Sequence, residues 1–523
     1  MIPTKLKATL SNILEAYQQH PLKRIFGLDV EPTPLPVVYS AFTGCGKTFG
    51  LSTWLAKVEQ DKEIPNYKLL PRTMVIAFKE LELAAEFVVM FNNMVKERSE
   101  TERKHLLRHV SYVFGVEQDQ IDKISAKLAT DKGNKTLKGV LTFLGSTKAS
   151  TSLCKEKMVE LSRAKLIVTT HASANNLACA GVIKGTDLIF DEAPAACYQV
   201  HELTLGETKE AHVAKLLSCA TTIDIVLSGP KRIGKLLSSG VWATSQVYTL
   251  TSKEVRELSK NPIKHHCLGT SVTRFSGVDT EQVGPTEVGH YTPKPTIVLQ
   301  TISKEYQAKQ GDLTHFFVSY VDFSSFGANS ISIMTACPEG TSVAVLEKLS
   351  GTKFQTVEGA VSKARRALVA SKATLYPILQ EFGSISCSKA NAGSKRAKFA
   401  LATMAEALMS QCDCAFVIAH GWLARELAKY RLKICKSNQT GLNSLSDRTA
   451  VGVASLDFQT PKDKIIEGHI FGADYPKREQ FVMACGMGQS IMRGGLRVME
   501  ALETTIVYFD TRVEALWKLF VGV

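Results

Sequence analysis

The chain has 523 residues, 45% of them apolar, so roughly two to four packed domains are expected and a disordered chain is excluded. No apolar run approaches the roughly 18 residues of a membrane span, so no membrane partner is expected. The formal charge of +13 points to a polyanionic partner, nucleic acid first, with a merely basic protein as the alternative. The 12 cysteines include no C-x-x-C pair, and several (Cys179, Cys219, Cys485) lie in apolar runs, as small core thiols do in a reducing, cytoplasmic compartment. Two short runs tempt a zinc reading, "HHC" at His265–Cys267 and "CDC" at Cys412–Cys414, but neither has a partner pair at ligand spacing.

In chain order, residues 1–34 come first: "MIPTKLKATLSNILEAYQQHPL" mixes Lys, Glu and Gln into an apolar pattern and reads as an amphipathic helical segment without a signal-peptide core. An apolar strand at Val37–Tyr39 then enters "SAFTGCGKTFG". Further β-rich runs follow at 73–78 ("TMVIAF"), 166–170 ("LIVTT"), 187–190 ("DLIF") and 330–336 ("SISIMTA"). A second set lies at 415–420 ("AFVIAH"), 449–455 ("TAVGVAS") and 504–510 ("TTIVYFD"). Strands alternating with helical patterns predict α/β units on mostly parallel sheets, here two domains, at 35–340 and 341–523. The segments at about 85–160 and 197–328 are too long for loops and read as inserted, mainly helical subdomains of the first.

The loop carries the clearest chemistry. Gly44 and Gly46 allow the backbone N–H groups of Thr43, Gly44, Cys45 and Gly46 to turn inward around phosphate oxygens, Lys47 reaches the β- and γ-phosphates, and the Thr48 hydroxyl can ligate Mg²⁺. The following helix adds the positive end of its dipole. A loop of this kind requires an acid on a neighbouring strand, and "TDLIFDEAPAAC" places Asp191 and Glu192 at the C-terminal end of one, where ligands bind in an open α/β sheet. Asp191 would hold the metal, and Glu192 would act as general base on the attacking water.

Together "AFTGCGKT" and "DEAP" resemble motifs I and II of superfamily-two (DEAD-like) helicases, whose loop is commonly A-x-x-G-x-G-K-T; Ala41 fits that form, while Pro194 separates the chain from the DEAD and DEAH boxes proper. The other stretches follow in the family's order. "MVIAFKELELAAEF" resembles motif Ia, with Lys79 as a phosphate contact, and "LIVTTHASANN" the next backbone-contacting motif, with Thr169 and Thr170; His171 is either a contact or a structural histidine. Thr335-Ala336-Cys337 resembles motif III, 414–430 motif IV, and "SNQTGLNSLSDRTAVGVAS" motif V, with Thr440 and Asn443 facing nucleic acid. "QSIMRGGLR" resembles motif VI: Gln489 contacts nucleotide, and Arg493 and Arg497, on one helix face, would serve as arginine fingers.

The resemblance implies two RecA-like P-loop domains, ATP and Mg²⁺ as cofactors, and a nucleic-acid-dependent ATPase that moves along or unwinds nucleic acid, DNA ahead of RNA, with replication or repair proteins as further partners. The compact motif set with large insertions is similar to helicases of viruses, phages or plasmids, which would act in a host cell. A different class stays open: a DNA-packaging motor of terminase type, whose C-terminal nuclease would use aspartates such as Asp447, Asp457 and Asp474. Basic side chains at Lys363, Arg365, Arg366 and Lys372, and at Lys389, Lys395, Arg396 and Lys398 beside Phe399, are either phosphate contacts or solvated helix faces.

Overall fold

The computed structural model describes residues 19–57, 70–96, 110–113, 118–130, 135–146, 155–179, 181–194, 323–378, 394–411, 415–435, 445–456, 458–498 and 500–522, together with five strands between 198 and 321. The strands are, in chain order, β1 (Val37–Ser40), β2 (Met74–Phe78), β3 (Val110–Val113), β4 (Leu166–Thr170), β5 (Asp187–Asp191), β6 (Tyr198–Thr204), β7 (Asp224–Val226), β8 (Ile263–His266), β9 (Thr296–Gln307), β10 (Leu313–Val321), β11 (Ser330–Thr335), β12 (Gln355–Val357), β13 (Ala373–Pro377), β14 (Ala415–Ile418), β15 (Lys433–Cys435), β16 (Ala450–Val453) and β17 (Thr504–Tyr508). No helix among the described residues is long and apolar enough to cross a membrane.

The chain divides into two compact units. The first comprises residues 1–39, 48–334 and 346–357; the second comprises 40–47, 335–345 and 358–523. The first unit is built on a sheet of order β12-β1-β11-β5-β2-β4-β3. Its pairings are parallel, for instance Met74 opposite both Leu166 and Asp187. Every residue of β2 and of β5 is buried, which is why β2 and the middle of β5 read as unbroken apolar runs: helices cover a parallel sheet on both faces. Asp187, 1% exposed at the start of β5, is fully paired: Arg24 Nη2 donates to it at 2.8 Å, Asn329 Nδ2 at 3.0 Å and Ser330 Oγ at 2.8 Å. A buried carboxylate left without such partners would be strongly destabilising.

The second unit carries a five-stranded sheet of order β13-β17-β16-β14-β15, again parallel. The period of two is visible in its two cores. Phe416, Ile418, Val451, Val453 and Ile506 pack on one face with the helices Tyr475–Ile491 and Arg512–Val521, whereas Ala415, Val417, Ala419, Ala450 and Val507 pack on the other with Lys395–Gln411. Two parallel α/β sheets with helices are the fold class expected of two RecA-like domains.

Two expectations need correction. The described part of 197–328 is mainly strand, an antiparallel sheet of order β6-β10-β9-β8-β7 followed by a 3₁₀ turn at Phe323–Phe326, where mainly helical structure was expected. The abundance of β-branched and aromatic residues in "TIVLQTISKEYQ" and "LTHFFVSYV" accounts for it. The described part of 85–160 is helical, except that β3 joins the edge of the first sheet through β4. Finally, β12 pairs with β1, so the first sheet takes its last strand from beyond residue 340 and the changeover falls at Glu358. Within 1–34, the described helix is Pro21–Phe26, and residues 1–18 lie outside the described residues.

Gly488 gives a test of packing in the second unit. A Cβ there would lie 2.3 Å from the Phe520 ring. Gly488→Ala gains about 1 kcal/mol in helix propensity, but overpacking loses about 1–3 kcal/mol. The substitution should therefore lower the denaturant midpoint in equilibrium unfolding.

Candidate nucleotide-binding site

In the first unit, the helix Lys47–Ala56 brings the Thr48 hydroxyl to the carboxylate of Asp191 at the end of β5, with Oγ1 3.2 Å from Oδ2 and 3.4 Å from Oδ1. Asp191 is 5% exposed. The next residue, Glu192, has φ of 72°, a left-handed conformation that disfavours a side chain by roughly 1–2 kcal/mol. It is held there by its N–H, which donates to the Met334 carbonyl at 2.9 Å. Strain of this kind, kept by the surrounding strands, is a mark of functional positions.

His171, at the start of the helix after β4, is buried and its Nε2 lies 3.1 Å from the Asp191 carbonyl oxygen. Burial lowers its pKa to about 4, against the raising effects of the Asp191 bond and of Glu192. A neutral ring donating to that carbonyl is a structural histidine, and its role is to hold the end of β5. Sequence reasoning left this open because a histidine at a strand end looks the same in either role.

In the second unit, the phosphate loop Ser40–Lys47 is gripped by one face of the helix Ala360–Lys372. Gly44 and Gly46 have φ of 79° and 77°, the left-handed turns that a cradle of inward N–H groups requires. The Phe42 N–H donates to Ser362 Oγ at 2.9 Å, and Ser362 Oγ lies 3.0 Å from the Ser40 carbonyl. Arg366 lies over the Phe42 ring at 5.4 Å and pairs with Glu358 at 2.8 Å. Arg365, 6% exposed, donates to the carbonyls of Leu496 and Val498, the latter at 2.7 Å. A Cβ on Gly44 would sit 3.4 Å from Arg365 Nη2 and 3.4 Å from the Arg497 carbonyl oxygen. Burial lowers the Arg365 pKa, opposed by Cys45. Sequence reasoning took Arg365 and Arg366 for nucleic-acid contacts or a solvated face. Their spacing with Ser362, three and four residues on, was the missed signal that all three share one side of a helix.

Other expected residues fall as follows. Lys79 is exposed just after β2. Thr169 is not a nucleic-acid contact, because it is fully buried and its hydroxyl donates to the Val113 carbonyl at 2.6 Å. The Thr170 hydroxyl lies 3.1 Å from Ser173 Oγ and accepts from the Ser173 N–H at 3.3 Å, so it serves the start of the following helix. Thr440 and Asn443 lie outside the described residues, as do Lys389, Asp457 and the pair Cys412 and Cys414.

The expected motif VI helix ends early. It runs Tyr475–Ile491 and keeps Gln489, while Arg493 lies in a turn and Arg497 in a 3₁₀ segment, Gly495–Arg497. The two arginines therefore do not share a helix face. The cause is Gly494-Gly495, which packs so closely that a Cβ at either would come 3.0 Å from the Arg448 carbonyl oxygen. Arg493 is 8% exposed and its Nη1 donates to Cys435 Sγ at 3.1 Å, whereas Arg497 is exposed.

Thr48 and Asp191 fit a hard divalent cation, which takes oxygen donors of this kind. The left-handed glycines and the helix beginning at Lys47 fit a phosphate chain. Among the described residues no group of three or more His, Cys, Asp or Glu could hold a metal ion by itself.

No family model matches the sequence, and no curated protein does. Two similar solved structures are an apo XPD (12% identity over 94% of this chain and 96% of that one, TM-score 0.38) and Xpd4 of S. tokodaii (9% identity, 98% and 97%, TM-score 0.43). At these scores the likeness carries no argument about function, which rests here on the residues themselves.

The state of His171 predicts an acid limb. Its pKa is about 4 folded against 6.5 unfolded, and burial sets His20 to about 4 as well. As pH falls through 6.5 the unfolded chain takes up protons first, so stability declines between 6.5 and 4 and levels off below, by about 3 kcal/mol per histidine. His171→Gln, which keeps a donor for the Asp191 carbonyl, should remove about half of that slope in denaturation curves across this range.

Proposed function

We propose that the chain is a nucleic-acid-dependent ATPase of superfamily-two helicase or translocase type, acting on DNA ahead of RNA. The observation that carries this reading is the meeting of the Thr48 hydroxyl and the buried Asp191 carboxylate, 143 residues apart in sequence, at the C-terminal end of β5. That closeness supports a metal shared by the two motifs. The amides of Thr43 to Gly46 and the Lys47 ammonium bind the phosphates of ATP. Thr48 and Asp191 hold Mg²⁺, which when bound neutralises phosphate charge. Glu192, fixed by its backbone, takes the proton of the attacking water.

Gln489 reads nucleotide, and Arg497 supplies the finger ahead of Arg493, because it is the exposed one of the pair. Lys79 contacts the nucleic-acid backbone, joined by Thr170 at its strand end and by Thr440 and Asn443 from motif V. Replication or repair proteins are the partners such a motor would serve, in a reducing compartment that suits the thiols Cys45, Cys337, Cys435 and Cys485. A viral, phage or plasmid origin remains part of this proposal. Among the described residues nothing favours the packaging-motor reading: Asp447 lies 3.6 Å from Arg448 and Asp474 precedes the helix at Tyr475.

The deciding experiment is ATP turnover with single-stranded DNA, duplex DNA and RNA as stimulants. Lys47→Ala should abolish turnover without unfolding, and Glu192→Gln should bind ATP and fail to hydrolyse it. Wild-type rates in both would remove the site assignment. Arg497→Ala should lose the stimulated rate by roughly 10³-fold, the low end for an arginine finger, with ATP affinity kept. Arg493→Ala should instead lower the melting temperature, since it empties a buried site.

A further inference from the structure

We propose that Arg365 is a positioning residue for ATP turnover, fixing the segment around Arg497 against the phosphate loop; this rests on the nucleotide reading above. Three observations meet at this side chain. Its guanidinium donates to the carbonyls of Leu496 and Val498, the two residues that flank Arg497. It also lies on the loop side: a Cβ on Gly44 would be 3.4 Å from Nη2 and 3.6 Å from Nε. The Arg497 carbonyl oxygen is the same 3.4 Å from that point, so loop, guanidinium and the Arg497 backbone converge on one spot.

The segment needs such a tie. The helix stops at Ile491; Met492 and Leu496 are buried and Gly494 and Gly495 pack on the Arg448 carbonyl, but Arg497 itself is exposed, so its placement depends on the backbone on either side of it. Hydrogen bonds from a planar donor set both the distance and the tilt of the backbone on either side of Arg497. Lysine cannot do the same, because a single ammonium has no fixed fork. Ser362 and Arg366 on the same helix hold the loop at Phe42, so Arg365 joins two segments to one rigid support. Arg365 touches no reacting atom in this account; it acts through Arg497.

ATP-analogue binding and nucleic-acid-stimulated turnover are measured first on the full wild-type chain. Failure to bind ATP there overturns the nucleotide reading and this inference with it. With binding and turnover established, Arg365→Lys, Arg497→Ala and the double variant are compared, with melting curves to confirm folding. Arg365→Lys should lower stimulated kcat about tenfold and leave the KM for ATP within about twofold, and the double variant should be no slower than Arg497→Ala alone. A double variant showing the product of the two losses, or Arg365→Lys at full turnover, overturns the inference while leaving the nucleotide reading intact. If the lysine variant does not fold, Arg365→Gln takes its place and the same comparisons decide.

Discussion

A carboxylate at the closed end of a buried strand sets the terms for the first unit. Asp191 terminates β5, whose every residue is inaccessible, yet its side chain must stay polar and aimed at the loop helix. The Thr48 hydroxyl meets the carboxylate and the His171 ring meets the carbonyl, so both polar ends of the residue are engaged. The cost of burying these groups is offset by those bonds. The left-handed Glu192 is a consequence of the same constraint. The chain must leave a parallel strand within one residue while its N–H still pairs with the Met334 carbonyl on β11. The backbone that turns away from the sheet at Glu192 also fixes where its carboxylate begins, as the proposed general base would require.

At its opposite end β5 is anchored just as firmly. Asp187 gathers Arg24, Asn329 and Ser330 from two distant segments, which ties the helix Pro21–Phe26 and the start of β11 to one strand. A buried ion pair of this sort adds little net stability against an apolar substitute. It does specify register, since a one-residue slip of β5 would place Thr186 or Leu188, neither of them an anion, against the Arg24 guanidinium and move Asp191 away from Thr48.

Much of this was legible from the chain, and the reason is local. The loop and the acidic strand end are contiguous motifs whose chemistry dictates residue type at fixed spacing. Their meeting at Thr48 and Asp191 follows from strand ends being where a parallel sheet collects its polar groups. The parallel α/β class was readable because two-sided burial leaves unbroken apolar runs. What escaped depends on partners far away in sequence. Thr169 looks like a surface threonine until Val113 supplies the carbonyl that its hydroxyl meets. The helix after Gln489 seemed to continue because spacing alone favours it, while the actual stop is set by the Arg448 backbone crowding Gly494 and Gly495. The β character of the second insertion was hidden under a Thr/Gly/Pro-rich stretch, although "LTHFFVSYV" is rich in β-branched and aromatic residues.

The basic balance of the chain also changes meaning once its cations are located. Arg365, Arg478 and Arg493 are buried in the second unit, and each donates to groups of that unit: backbone carbonyls, the Glu467 carboxylate with the Glu339 carbonyl, and the Cys435 thiol. Such cations are already engaged and desolvated, so they contribute little to counterion release on a polyanion. Lys372 pairs with Glu503 at 2.6 Å and Lys353 with Glu347 at 2.7 Å, which lowers the count further. Lys395, Arg396 and Lys398 are different: they are exposed in the first turn of a helix with no acidic residue there, beside Phe399, which is 53% exposed. Cations crowded at the positive end of a helix dipole are disfavoured in isolation. A phosphate backbone would relieve that repulsion, and an aromatic ring beside it suits an unstacked base. Among the described residues, therefore, three arginines serve the second unit's interior, whereas Lys395, Arg396 and Lys398 are left exposed as a group that a polyanion would neutralise.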